Sequence, residues 1–134
     1  MKIQSKAFES NKNIPSKYTC DGEKINPPLE IDNVPEEAKS LVLIMDDPDA
    51  PSKTWLHWLV WNVDPRIKEI SENSKPKEGI EGGNDSGSIG YTPPCPPSGS
   101  HRYFFRLYAL DARLDLDQSA NRKDIEDAMS DHII

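Results

Sequence analysis

Two runs of apolar residues limit what this chain can fold into more than any other feature. Residues 40–45 are short, branched and uninterrupted by charge, the length of a strand buried on both faces. Residues 54–63 are apolar on both alternations. Trp55, His57, Leu59, Trp61 and Val63 fall on one side and Leu56, Trp58 and Val60 on the other, so this strand too must be covered twice. Residues 102–110 repeat the pattern, with Tyr103, Phe105, Leu107 and Ala109 alternating against Phe104, Tyr108 and Leu110. Three doubly covered strands require a second layer on each side.

The rest of the chain cannot supply that cover with long helices. Between residues 10 and 40 it is broken by Pro15, Asp21-Gly22, Pro27-Pro28 and Pro35, which leaves loops and short extended pieces such as residues 29–31, after a weak first strand within residues 1–8. Residues 64–87 turn polar, with Ile67 and Ile70 as anchors, and read as an exposed connection, functional or mobile. A helical period appears only near the end, where Ile125, Ala128, Met129, His132 and Ile133 recur behind the capping candidates Ser119 and Asn121. No repeat of 20 to 50 residues is visible. The expected architecture is mainly β, an antiparallel sandwich with a short peripheral C-terminal helix, in a single domain spanning residues 1–134.

Composition narrows the function. A net charge of −7 over 134 residues argues against nucleic acid, whose phosphates need a basic face, and against an anionic bilayer surface. No run is long enough to span a bilayer and the N-terminus carries no signal-like apolar stretch, so the expectation is a soluble, cytoplasmic chain without stable membrane insertion. Cys20 and Cys95 lie far apart in loops and are expected as free thiols in that compartment, a loop-to-loop disulfide being the alternative.

The chemistry gathers around two loops. Asp46, Asp47 and Asp49 lie in a proline-bracketed turn ending at Pro51, and on the two-sided strand beyond it His57 must be largely buried, so it needs a polar partner, Asp47 being the nearest. The ordinary readings are an acidic turn and a satisfied core histidine. Downstream, His101 and Tyr103 are two apart on an emerging strand and share a face, as Trp55 and His57 do. Two imidazoles and a phenol, with backbone N–H groups from the glycine-rich turn of residues 87–91, suit a phosphate or carboxylate, and Asp47 can accept from a hydroxyl or ammonium. No resident metal or cofactor is expected: two His and two Asp could ligate a cation, but their spacing matches no familiar ligand pattern. None of Ser86, Ser88, Ser98 or Ser100 sits in a nucleophile elbow, so no catalytic residue is assigned.

DPDAP followed by W-x-H (residues 47–57), and PP followed by G-x-HRY (residues 93–103), resemble the two signature regions of the phosphatidylethanolamine-binding protein family, also called Raf kinase inhibitor protein-like. YTCDG, NPPL and the short spacer at residues 52–54 are similar to its bacterial and archaeal branch. The resemblance runs from about residue 5 to the end. It implies a β-sandwich with an anion pocket lined by Asp47, His57, Gly90, His101 and Tyr103, with Pro51 and Trp55 at its wall, and a cis bond at Pro51 or within residues 93–97. Members of this branch usually carry a further C-terminal strand beyond the equivalent of Asp131-His132, and this chain stops at Ile134; Thr92 and Pro93 stand where glycines are often found. The leading functional expectation is a binding protein for a small anion (phosphate, phosphoethanolamine-like or carboxylate) that regulates a kinase or protease partner. The alternatives are a hydrolase using His57 and Asp47 on small phosphorylated or ester substrates, and an interaction module built on residues 64–87.

Overall fold

The fold is described from a computed structural model, which covers residues 1–8, 14–51, 53–95 and 103–134. In chain order the elements are β1 (Lys2–Gln4), β2 (Leu29–Asp32), β3 (Ser40–Asp47), β4 (Trp55–Val63), β5 (Glu69–Ile70), β6 (Ile80–Glu81), β7 (Phe104–Leu110) and α1 (Arg122–Met129). They form two antiparallel sheets, one ordered β1-β2-β5 and one ordered β6-β4-β3-β7. The three expected strands are present, but only β3 and β4 are central, side by side in the middle of the larger sheet; β7, expected as a third doubly covered strand, is an edge strand, half-buried over its first five residues, because nothing pairs with its outer side among the described strands.

The double cover is real and has two different origins. Leu41, Leu43 and Met45 on β3 and Trp58, Val60 and Val63 on β4 pack against Leu29, Ile31 and Ile70 of the smaller sheet. Val42 and Ile44, with Leu56, Leu59 and Trp61, face the other way, onto Ile125 and Met129 of α1 and onto Leu114 and Ala120 of the segment leading into it. A strand between sheet and helix has no solvent face, which is why both alternations are apolar.

The faces of β4 do not follow strict alternation. Leu56 shares the helix side with Leu59 and Trp61, and Val63 shares the sheet side with Trp58 and Val60. The pairing with β3 slips twice, between Met45/Asp46 and between Leu41/Leu43, so His57 and a residue near Asn62 are extra on β4. Asn62 takes φ 57°, and its buried side chain exchanges hydrogen bonds with the backbone of Leu114, Nδ2 donating at 2.8 Å and Oδ1 accepting at 2.7 Å. The bulge at His57 turns that side chain out of both cores.

Residues 64–87 are more than an exposed connection. Ile70 is buried in β5, which completes the smaller sheet against β2, and Ile80 in β6 pairs with Trp61. Beyond β6 the chain runs alongside β4, Gly82 donating to the Leu59 carbonyl and Asp85 to that of Leu56, each at 2.9 Å. A Cβ on Gly82 would stand 2.7 Å from the Trp61 ring, so glycine permits this close approach. At the C-terminus Asn121, not Ser119, caps the helix in a reciprocal capping box with Asp124. The helix stops at Met129; His132 and Ile133 lie beyond it, Ile133 forming a bridge to Leu110 of β7.

Candidate functional site

The β3–β4 hairpin supplies one wall of a cavity of about 320 Å³. Asp47 ends β3 and is 3% exposed, with Oδ1 accepting from the Asp49 amide at 2.8 Å, a local bond that fixes the start of the acidic turn. Ala50 and Pro51 follow along the turn, and Trp55 and His57 enter on β4. The opposite wall is the extended segment of Thr92, Pro93 and Cys95, with Tyr103 closing the space just before β7. Asp47, Pro51, Trp55, His57 and Tyr103 therefore line one pocket.

His57 is held on two sides. Its carbonyl accepts from the Thr92 amide at 2.9 Å, and its Nδ1 lies 2.8 Å from the Thr92 carbonyl. A carbonyl only accepts, so Nδ1 carries the proton and Nε2 is the nitrogen left to meet a ligand. Burial holds the imidazole below its ordinary pKa, the Thr92 bond and the Asp47 carboxylate opposing that shift. Its ring meets the Tyr103 ring edge-on, with centroids 5.5 Å apart. Burial, then Asp47 and Asp49, push the Tyr103 phenol up to about 12, which keeps it a hydrogen-bond donor at neutral pH.

Gly90 lies outside the pocket lining. It takes φ 94° and packs against the Glu81 carboxylate, and its amide donates to the Gly82 carbonyl at 3.1 Å. Gly87 and Ser88 of that turn also donate internally, to Asn84. Asn84 thus organises the turn, and the amides of Gly87, Ser88 and Gly90 already have partners within it. His101 falls outside the described residues. Every proline bond among the described residues, including those at Pro51, Pro93 and Pro94, is trans.

The expectation of free thiols is overturned. Cys20 and Cys95 form a disulfide, with Cα atoms 5.3 Å apart across 75 residues of sequence. The loops are brought together by the Cys20 amide donating to the Pro94 carbonyl at 3.1 Å and by the Tyr91 hydroxyl donating to the Tyr18 carbonyl at 2.9 Å. Separation in sequence conceals this, because neither loop carries a pattern announcing the other. Sequence reasoning also missed Thr92 as the partner of His57 and Asp85 as a brace, its Oδ2 accepting from the Leu56 amide at 2.8 Å and Oδ1 lying 3.3 Å from Lys53 Nζ. Among the described residues no three His, Cys, Asp or Glu side chains gather into a cation site.

The family model named phosphatidylethanolamine-binding protein matches residues 4–134. The chain belongs to the phosphatidylethanolamine-binding protein family. Among its relatives, a UPF0098 protein of Methanothermobacter thermautotrophicus is 53% identical over all of this chain and 92% of its own, and one of Chlamydia trachomatis is 43% identical with the same coverage. The crystal structure of a phosphatidylethanolamine-binding protein homologue from Chlamydia trachomatis superposes with TM-score 0.94 at 43% identity, covering 98% of this chain and 89% of that one. The crystal structure of Escherichia coli YbcL, described as a member of the mammalian PEBP family, superposes with TM-score 0.89 at 25% identity, covering 98% of this chain and 90% of that one. The two sheets and terminal helix are thus the phosphatidylethanolamine-binding protein fold. Among the described residues no helix is long and apolar enough to cross a membrane.

Proposed function

We propose that this chain binds a small anion, a phosphate, a phosphoethanolamine-like headgroup or a carboxylate, in the pocket of Asp47, Pro51, Trp55, His57 and Tyr103, and that occupancy regulates a protein partner of the kinase or protease class. The observation that carries this reading is the fixing of His57 by Thr92, which leaves one imidazole nitrogen for a ligand in a small cavity lined by aromatic rings. Protonated at Nε2, that ring is a charge-assisted donor, and the Tyr103 hydroxyl is a second donor. Asp47 disfavours a bare anion and favours a ligand that also carries a hydroxyl or ammonium. A purely apolar ligand would leave His57 Nε2 without a hydrogen bond to the ligand.

The proposal fixes a pH dependence. Burial lowers the His57 pKa in the empty protein from its ordinary 6.5, so the ring is neutral at pH 7. An anion favours imidazolium, so binding takes up a proton and affinity rises as pH falls through 6.5 and below, by at most about tenfold per unit. The effect on the empty fold has the opposite sign. A depressed histidine contributes stability that is present above the unfolded value and is lost as pH falls through the folded one. Calorimetric titration with sulfate, a dianion that does not itself titrate near neutral pH, measures the first effect. Flat affinity as pH falls would remove His57 from the ligand. The hydrolase reading predicts turnover of phosphatase or esterase substrates that is lost in His57→Ala; Ser86 is the serine that lines the pocket among the described residues, and its Oγ is hydrogen-bonded to Asn84 Oδ1 at 2.6 Å.

A further inference from the structure

We propose that Ser86 is a specificity-determining residue of this pocket: its hydroxyl oxygen accepts a hydrogen bond from the second end of the ligand, so that the chain selects small anions that also carry a primary ammonium over those that carry a quaternary one. The inference rests on the anion-pocket reading and names the class of ligand that the pocket prefers.

Ser86 reaches the cavity because the turn that carries it is bound to β4. Asp85 exchanges two bonds with Leu56, the residue before His57: its amide donates to the Leu56 carbonyl at 2.9 Å and its Oδ2 accepts from the Leu56 amide at 2.8 Å. Ser86 is the next residue, and it lines the same cavity as Asp47, Trp55 and His57. Buried Asn84 then closes the turn, its Oδ1 accepting from the Ser86 amide at 3.1 Å and its Nδ2 donating to the Gly90 carbonyl at 2.9 Å. The backbone of Ser86 is thus placed by bonds that do not involve its hydroxyl.

The hydroxyl itself is left with one chemical role. Its proton goes to Asn84 Oδ1, 2.6 Å away, an oxygen that only accepts. Ser88 Oγ stands 3.1 Å from Ser86 Oγ, and with the Ser86 proton spent on Asn84, Ser88 is the donor in that contact. A hydroxyl oxygen has two lone pairs, so one remains. Ser86 therefore meets a ligand as an acceptor.

His57 Nε2 and Ser86 Oγ make opposite demands, one donating to an anionic group and the other accepting from an N–H or O–H. Asp47, in the same lining, adds an acceptor whose charge suits a cation. A ligand with phosphate at one end and a primary ammonium at the other meets all three. A trimethylammonium carries the same charge but no N–H, so it leaves Ser86 unpaired and sets methyl groups against it. The rival arrangement, a quaternary ammonium held on the face of Trp55, predicts the reverse order of affinities.

The test is a calorimetric titration of the full chain with phosphoethanolamine, phosphocholine and ethyl phosphate. The unaltered chain is expected to bind phosphoethanolamine about tenfold more tightly than phosphocholine, and Ser86→Ala to shrink that ratio to about threefold, through phosphoethanolamine alone, with the other two ligands within about twofold of their starting affinities. Ser86→Thr keeps the hydroxyl and should keep the preference; loss of the preference there as well would assign the effect to the shape of the turn and overturn the role of the hydroxyl. A ratio unchanged in Ser86→Ala, a preference for phosphocholine in the unaltered chain, or equal weakening of all three ligands in Ser86→Ala would also overturn it, and would leave the pocket reading intact provided His57→Ala still abolishes binding. Failure of all three ligands to bind the unaltered chain would overturn both.

Discussion

Replacing Trp58 with alanine is expected to cost about 3–5 kcal/mol of unfolding free energy, a large part of the stability of a chain this size. Trp58 has no solvent exposure and sits in the core between the two sheets, opposite Met45 on β3. Its indole N–H donates to Glu81 at 2.8 Å and its ring meets Tyr91 edge-on at 5.6 Å. Truncation therefore opens a cavity and removes the hydrogen-bond donor that ties β4 to β6. Trp58→Phe keeps much of the volume and separates the two effects; it should lose about 1–2 kcal/mol. Denaturant unfolding measures both, and a Trp58→Ala loss below about 1.5 kcal/mol would mean that the core closes over the gap.

The second large effect is expected at Asp46, which is 1% exposed and meets two arginines. Arg106 Nε on β7 donates to both carboxylate oxygens at 3.2 and 3.0 Å, and an Arg122 guanidinium nitrogen, at the first residue of α1, lies 3.0 Å from Oδ2. One buried carboxylate thus joins β3, β7 and the helix that covers their outer face. Asp46→Ala should destabilise by about 2–3 kcal/mol, less than for a fully buried pair because both guanidinium groups reach solvent. A loss under about 0.5 kcal/mol would reduce the cluster to surface ion pairs. The same substitution should also loosen α1, which hydrogen exchange at Ile125 and Met129 would report.

What the sequence carried and what it hid follow from range. β3, β4 and β7 were legible because apolar residues dominate both alternations of each, a pattern that calls for a strand packed on both faces, as β3 and β4 are. β5 and β6 were not: two residues each, in polar surroundings, they are strands only because β2 and β4 offer edges to pair with. Ile70 and Ile80 were the available signal. The faces of β4 were misassigned beyond His57 and Asn62 because a bulge inverts alternation without marking the sequence. In the site, Asp47, Pro51, Trp55, His57 and Tyr103 line one cavity because the fold brings the β3–β4 turn beside the start of β7. Gly90 was placed at the pocket by the family resemblance; in the structure its amide donates to the Gly82 carbonyl and its missing Cβ makes room for Glu81. Thr92 could not be foreseen as the partner of His57, because backbone groups announce nothing about what they will bond.

The most direct test of the pocket is an NMR titration of the chain and of His57→Ala with phosphate, phosphoethanolamine and acetate. Saturable shifts at the His57 ring, the Thr92 amide and the Trp55 indole, absent from the variant, are the expected result, with phosphoethanolamine binding more tightly than acetate because Asp47 can meet its ammonium. Unmoved resonances at all three positions with every ligand would contradict the account and leave His57 as a core histidine satisfied by Thr92.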